Sequence, residues 1–297
     1  MLAALLWNPI VAKELRSRMR GWHAAVLLTA YLCAVGGLGC LVYSDEIGIS
    51  TNVVAIGSIG GTIFKVLAAT VLVTVALVAP GLVGPAISGE REHQTLDLLL
   101  VTPLRPARIV IGKLVAALAF VVLLVVVSLP LLSVALLLGG VPLSEVLEAL
   151  ALTLVFAFTL GALSMLFSVV LRRVTASTVV SYLAMLALAL GPIASGALYQ
   201  RIAYPDGGVS RLAALVDSVS PPVGAASLLD SNESCGGTVL VPLGGGPTGP
   251  TVNCQSTTSL GPLGSVETWQ ATLAFDGAIA VAALGASVLF MRRQERR

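Results

Sequence analysis

The sequence predicts an all-α membrane protein: six transmembrane helices with both termini on the cytoplasmic side. Three observations carry this. Of 297 residues, 57% are hydrophobic and only 11% charged, and the mean hydropathy is +0.97. Polar side chains are too few to cover the outside of a soluble domain. Apolar segments of about 20 residues, the length that crosses a bilayer, recur along the chain. Finally, fourteen of the 17 Lys and Arg residues fall on one side of the threading that these segments impose, and basic residues mark the cytoplasmic side.

Before the first span lies "NPIVAKELRSRMR", Asn8 to Arg20. Asn8 suits a helix cap and Pro9 a first helical position. Trp7, Val11, Leu15 and Met19 recur every fourth residue, while Lys13, Arg16 and Arg20 lie elsewhere around the helix and Glu14 can pair with Arg18. The pattern predicts an interfacial helix over 7–20, its apolar side in membrane lipid and its cations at the headgroups. The basic residues follow the first apolar ones, and the run after them is long enough to span, so the N-terminus does not read as a cleavable signal.

The spans are predicted at 22–43, 62–86, 110–138, 147–171, 175–198 and 269–291. Gly60, Gly61 and Lys65 blur the start of the second. Pro80 and Pro85 fall in span two and Pro130 in span three, where each removes a helix donor and favours a kink. Cys33 and Cys40 share a face of span one about 10 Å apart, too far for a disulfide. The basic clusters are Lys13 to Arg20, Arg91 to Lys113, Arg172–Arg173 and Arg292 to Arg297. The opposite side carries mostly carboxylates, among them Asp45, Glu145, Asp230 and Glu267.

The outer loop, 199–268, opens with a helical pattern at Leu212, Leu215, Val216 and Val219, stopped by Pro221–Pro222. A Gly, Pro, Ser and Thr tract follows, bracketed by Cys235 and Cys254. On an oxidising side of the membrane these two cysteines are a candidate disulfide.

The chain offers little for catalysis. His23 and His93 form no His-x-x-x-His pattern, no Gly-x-Ser-x-Gly elbow occurs, and no cysteine spacing suits zinc. No phosphate-binding loop is present, since Gly112-Lys113 is followed by Leu114 and Ala107 stands where the first glycine would be. No basic tract with interleaved aromatics suggests nucleic acid. The reading is therefore not an enzyme: no catalytic residue, no metal site and no cofactor of its own. Lys65 and Asp276 are ionisable residues at or near membrane depth and so candidates for a translocation pathway, possible partners near its outer mouth.

Between spans two and three stands "SGEREHQTLDLLLVTP". A helix over 88–102 is expected, with Ser88 as its cap and Glu90 and Glu92 in the first turn, where the dipole favours anions. Leu96, Leu99 and Leu100 would form one apolar face, and Pro103 would end the helix. It is too polar to span and too rich in leucine for a solvated loop, so it lies on lipid or docks into another protein.

Here the residues resemble a family. Gly89-Glu-Arg-Glu, then Thr95-Leu-Asp-Leu-Leu, Thr102-Pro-Leu and Gly112-Lys are similar to the intracellular-loop signature of type-2 ABC transporter permeases. The N-terminal "NPIVAKELRSRMR" resembles their interface helix, and the six-span layout resembles the family throughout the single transmembrane domain. His93-Gln94 departs from the small or Gly residue usual before the Thr-Leu-Asp run. The resemblance implies an exporter permease in a prokaryotic cell membrane, paired with a second permease and coupled to a separate cytoplasmic ATPase subunit that holds ATP and Mg. It makes 88–102 the coupling helix, with Thr95, Leu96, Leu99 and Leu100 docking, and Glu90, Arg91 and Glu92 in charge contact with the ATPase or with the interface helix near Arg16 and Arg18. Spans nearly free of charge point to an amphipathic or lipid-like cargo. The alternatives are an ATPase-coupled signalling or assembly module acting on an outer-side protein through the 200–268 loop, and a secondary transporter. The latter predicts mid-span polar residues and often inverted repeats.

Overall fold

A computed structural model describes residues 22–49, 56–94, 106–139, 141–203, 220–222, 225, 257–259 and 265–295. The interfacial helix expected at 7–20, with Glu14, Arg16 and Arg18, lies outside them. So do Thr95, Leu96, Leu99, Leu100, Cys235 and Cys254.

Among the described residues, six helices are long and apolar enough to cross a membrane. They are α1 (Trp22–Ile49), α2 (Ile56–Val83), α4 (Pro106–Leu138), α5 (Leu143–Val170), α6 (Val174–Ala203) and α7 (Thr268–Glu295). A short helix, α3 (Pro85–Glu92), follows α2 directly. Apolar side chains all round each long helix explain why they form in lipid, where every backbone donor and acceptor must be satisfied within the segment.

The all-α expectation gains one element. Thr257–Ser259 (β1) and Ser265–Glu267 (β2) pair antiparallel, Thr258 opposite Val266, and β2 runs straight into α7. β-branched Thr and Val on either side of a Gly-Pro-rich connection favour such a ribbon. Also within the outer loop, Ser220 is buried and Ala225 packs against the central apolar cluster.

α5 is the centre of the bundle. Its membrane window is 56% buried, against 6% for α1. Leu152, Phe156 and Leu160 of α5 meet Val71, Val75 and Ala79 of α2 and Val121 and Val125 of α4 in the largest apolar cluster. Small residues let the helices approach. Gly161 faces α4, where an added Cβ would lie 2.9 Å from Leu118 Cδ2. Ala162 packs against Ala280 and Ala283 of α7. Without a hydrophobic drive between helices in lipid, such close van der Waals packing is what holds a bundle together.

The second helix starts at Ile56, earlier than the 62 expected. Gly60 explains this: it packs on the end of α4, where an added Cβ would lie 2.0 Å from Gly139 O. A residue that looks like a helix breaker in the sequence is the contact point between two helices.

Candidate functional site

The segment "VAPGLVGPAISGEREHQ", Val78 to Gln94, links the second span to the insert. Pro80 lies within α2 and Pro85 opens α3. The chain nevertheless stays right-handed through Gly84 (φ −50°, ψ −48°), and Gly84 N donates to Pro80 O at 2.8 Å. The expected helix start at Ser88 is therefore corrected. α3 begins at Pro85 as a continuation of span two, and Ser88 is no cap: it is buried, and its hydroxyl donates back to Gly84 O at 3.0 Å.

A different residue does the capping. Gly84 has no side chain to offer, so the first N–H groups of α3 need an outside acceptor. Ser168 on α5 provides it: Ile87 N and Ser88 N donate to Ser168 Oγ at 2.9 and 3.0 Å. Ile87 itself fills an apolar cluster with Val83, Val110, Leu114, Met165 and Val169.

α3 ends at Glu92. His93 N donates to Gly89 O and Gln94 N to Arg91 O, both at 3.1 Å, and Gln94 adopts φ +56°. This left-handed conformation favours glycine, and it falls at the position where the sequence departs from the family's small residue. The remainder of the helix expected at 88–102 lies outside the described residues.

The carboxylates of the Gly-Glu-Arg-Glu run are engaged within the chain. Lys113 Nζ on α4 reaches Glu90 Oε1 at 2.7 Å, the Lys side chain 7% and the Glu side chain 25% exposed. The same Nζ donates to Ala86 O at 2.6 Å. Glu92 Oε1 accepts from Val174 N at 2.9 Å. Val174 is the first residue of α6, so this carboxylate sits at the positive end of a helix dipole. Each carboxylate thus has a partner within the chain: Glu90 the buried Lys113 of α4, and Glu92 the backbone at the start of α6. Arg91 is half-buried and in electrostatic reach of Arg172 on the α5–α6 connection.

Further ties come from α6. Ser177 Oγ donates to Gly84 O at 2.9 Å, and Tyr182 Oη donates to Leu77 O at 2.8 Å. Neither residue stands out in the sequence, nor does Ser168. The signal available was a Ser or Tyr on an otherwise apolar helix face, opposite a proline-interrupted helix.

Lys65 and Asp276 are not brought together. Lys65 acts on Glu145, in the first turn of α5. Asp276 is 1% exposed and packs where Thr159 Oγ1 donates to its backbone oxygen at 3.0 Å. Residues 145 and 159 are about 21 Å apart along a helix, beyond the reach of a lysine. Among the described residues, Asp276 Oδ1 has no hydrogen-bond partner.

A family model for ABC-2 family transporter proteins matches residues 8–294. The chain belongs to the ABC-2 transporter family. The match covers all six spans and the insert, and it makes the chain a multi-pass permease of the ABC transporter class. A search of curated proteins finds no match. In general, membership of the ABC-2 family implies an ABC ATPase as partner.

Proposed function

We propose that the chain is the permease of an ATP-driven exporter, acting with a second permease and powered by a separate cytoplasmic ATPase subunit. The observation that carries this is the anchoring of α3. In an ABC-2 chain, the entry to the insert is fastened to α4, α5 and α6 by Lys113, Ser168 and Ser177. A loop that merely joins two spans has no use for such fastening. A segment that must take a push and pass it on does.

In this reading ATP and Mg bind to the partner, and Thr95, Leu96, Leu99 and Leu100 form the docking face. Both termini and the insert lie in the cytoplasm of a prokaryotic cell. The outer loop, closed by a Cys235–Cys254 disulfide, faces outside. The spans carry few charges, which suits an amphipathic or lipid-like cargo. Asp276, buried with no partner for its Oδ1 among the described residues, is the stronger of the two pathway candidates, because a charge at membrane depth is costly and is kept for use.

The test is the double variant Leu96→Asp/Leu99→Asp. It should insert at the parental level and lose at least tenfold in ATPase co-purification, with ATP hydrolysis uncoupled from transport. A variant that still captures its ATPase and transports normally would overturn the docking face.

A further inference from the structure

The polar ties from α6 form a series. Val174 N, Ser177 Oγ and Tyr182 Oη run along one side of its first turns, and their acceptors run backwards along the partner: Glu92 Oε1, Gly84 O and Leu77 O, at 2.9, 2.9 and 2.8 Å. Two of the three acceptors are backbone carbonyls. Helix carbonyls ordinarily serve only their own helix. Pro80 and Pro85 take the ladder donors from Ala76 O and Gly81 O; the carbonyls that α6 reaches, Leu77 O and Gly84 O, are others of the same stretch.

The glycines of this stretch fit the same purpose. An added Cβ at Gly81 would lie 2.8 Å from Tyr182 Oη, and one at Gly84 would lie 3.3 Å from Thr178 Cα. At Gly84 the neighbour is α6 backbone, which cannot yield, whereas a side chain at Gly81 would push the Tyr182 hydroxyl from its place.

The far half of α6 is different. Among the described residues, the buried ones of α6 are Ser177, Ser181 and Met185, all in its first half, and Pro192 lies within the second. Only 17% of the whole α6 membrane window is buried, against 56% for α5. A helix fastened at one end and thinly packed at the other can swing at low cost, because few contacts break. α5, with its buried surface, cannot.

We infer that α6 is the lever of this permease. Glu92, Ser177 and Tyr182 are positioning residues that lock it to the α2–α3 junction, so that displacement of the insert is delivered to span five and not only to its covalent neighbours, spans two and three. This rests on the coupling reading above.

The experiment uses the full permease with its ATPase in lipid nanodiscs. A genetically encoded environment-sensitive fluorophore replaces Leu190. Adding ATP with vanadate should shift its emission in the otherwise parental chain. In Ser177→Ala/Tyr182→Phe the shift should fall at least fivefold, while ATPase co-purification and hydrolysis stay within twofold. Tyr182→Phe alone removes one oxygen and should halve the shift even if the double variant folds poorly. Glu92→Gln keeps an acceptor for Val174 N and should retain most of the shift. A full shift in the variants, or none in a parental complex that holds its ATPase and hydrolyses ATP, overturns the lever. A parental chain that captures no ATPase overturns the coupling reading and the lever with it.

Discussion

Gln94 carries a backbone conformation that costs an ordinary residue about 1–2 kcal/mol. Its φ of +56° closes α3 just before the Thr95 run. Gln94→Gly should therefore raise stability by about 1 kcal/mol, read as a later midpoint in detergent-titrated unfolding. Lys113 is the opposite case, a buried cation made tolerable by Glu90 and Ala86 O. Glu90→Ala leaves that cation without its counter-charge. It should cost about 3 kcal/mol, because the loss of one partner of a buried pair is dearer than the absence of both. The exchange Glu90→Lys/Lys113→Glu should recover part of the loss in the same unfolding measurement. Neither effect was legible in the sequence. Glu90 and Lys113 stood out there as charges, but what each one meets depends on the packing of α3 against α4, 23 residues away in the chain.

At the scale of elements, small residues decide where helices touch. Gly60 and Gly61 are neighbours in sequence and opposites in structure. An added Cβ at Gly60 meets Gly139 O, and one at Gly61 meets nothing within 4 Å. Gly60→Ala should cost about 2 kcal/mol through overpacking against backbone, whereas Gly61→Ala, inside the helix with room for a methyl, should raise stability by up to about 1 kcal/mol. The sequence showed only that two glycines blurred the start of a span. The insert shows the same limit. The helical character of its first residues was readable, as far as Glu92. The join was placed three residues late, because Ser88 has the composition of a cap while the cap used is Ser168, on another helix.

At the scale of the whole molecule, charge predicts the orientation. On the proposed threading fourteen of 17 Lys and Arg residues fall on the side of the insert, which would set Cys235 and Cys254 on the other. In intact cells a membrane-impermeant maleimide should leave these two unlabelled until an impermeant reductant is added, and then label both. Labelling without reductant would refute the disulfide. No labelling after it, with both modified in opened cells, would refute the orientation. The number and order of the spans follow from hydropathy alone, since the bilayer sets a length of about 20 apolar residues and any segment that meets it crosses. The signature from Gly89 to Lys113 carried the family as well, because a motif in contiguous residues is visible without a fold. Tertiary structure alone decided which side chains serve one another: Lys113 with Glu90, Ser168 with the start of α3, Glu92 with the start of α6, and Lys65 apart from Asp276. Those pairings join distant segments, and their partners are backbone atoms as often as side chains. A backbone carbonyl has the same identity at every position, so no sequence pattern can say which one a serine or tyrosine will find.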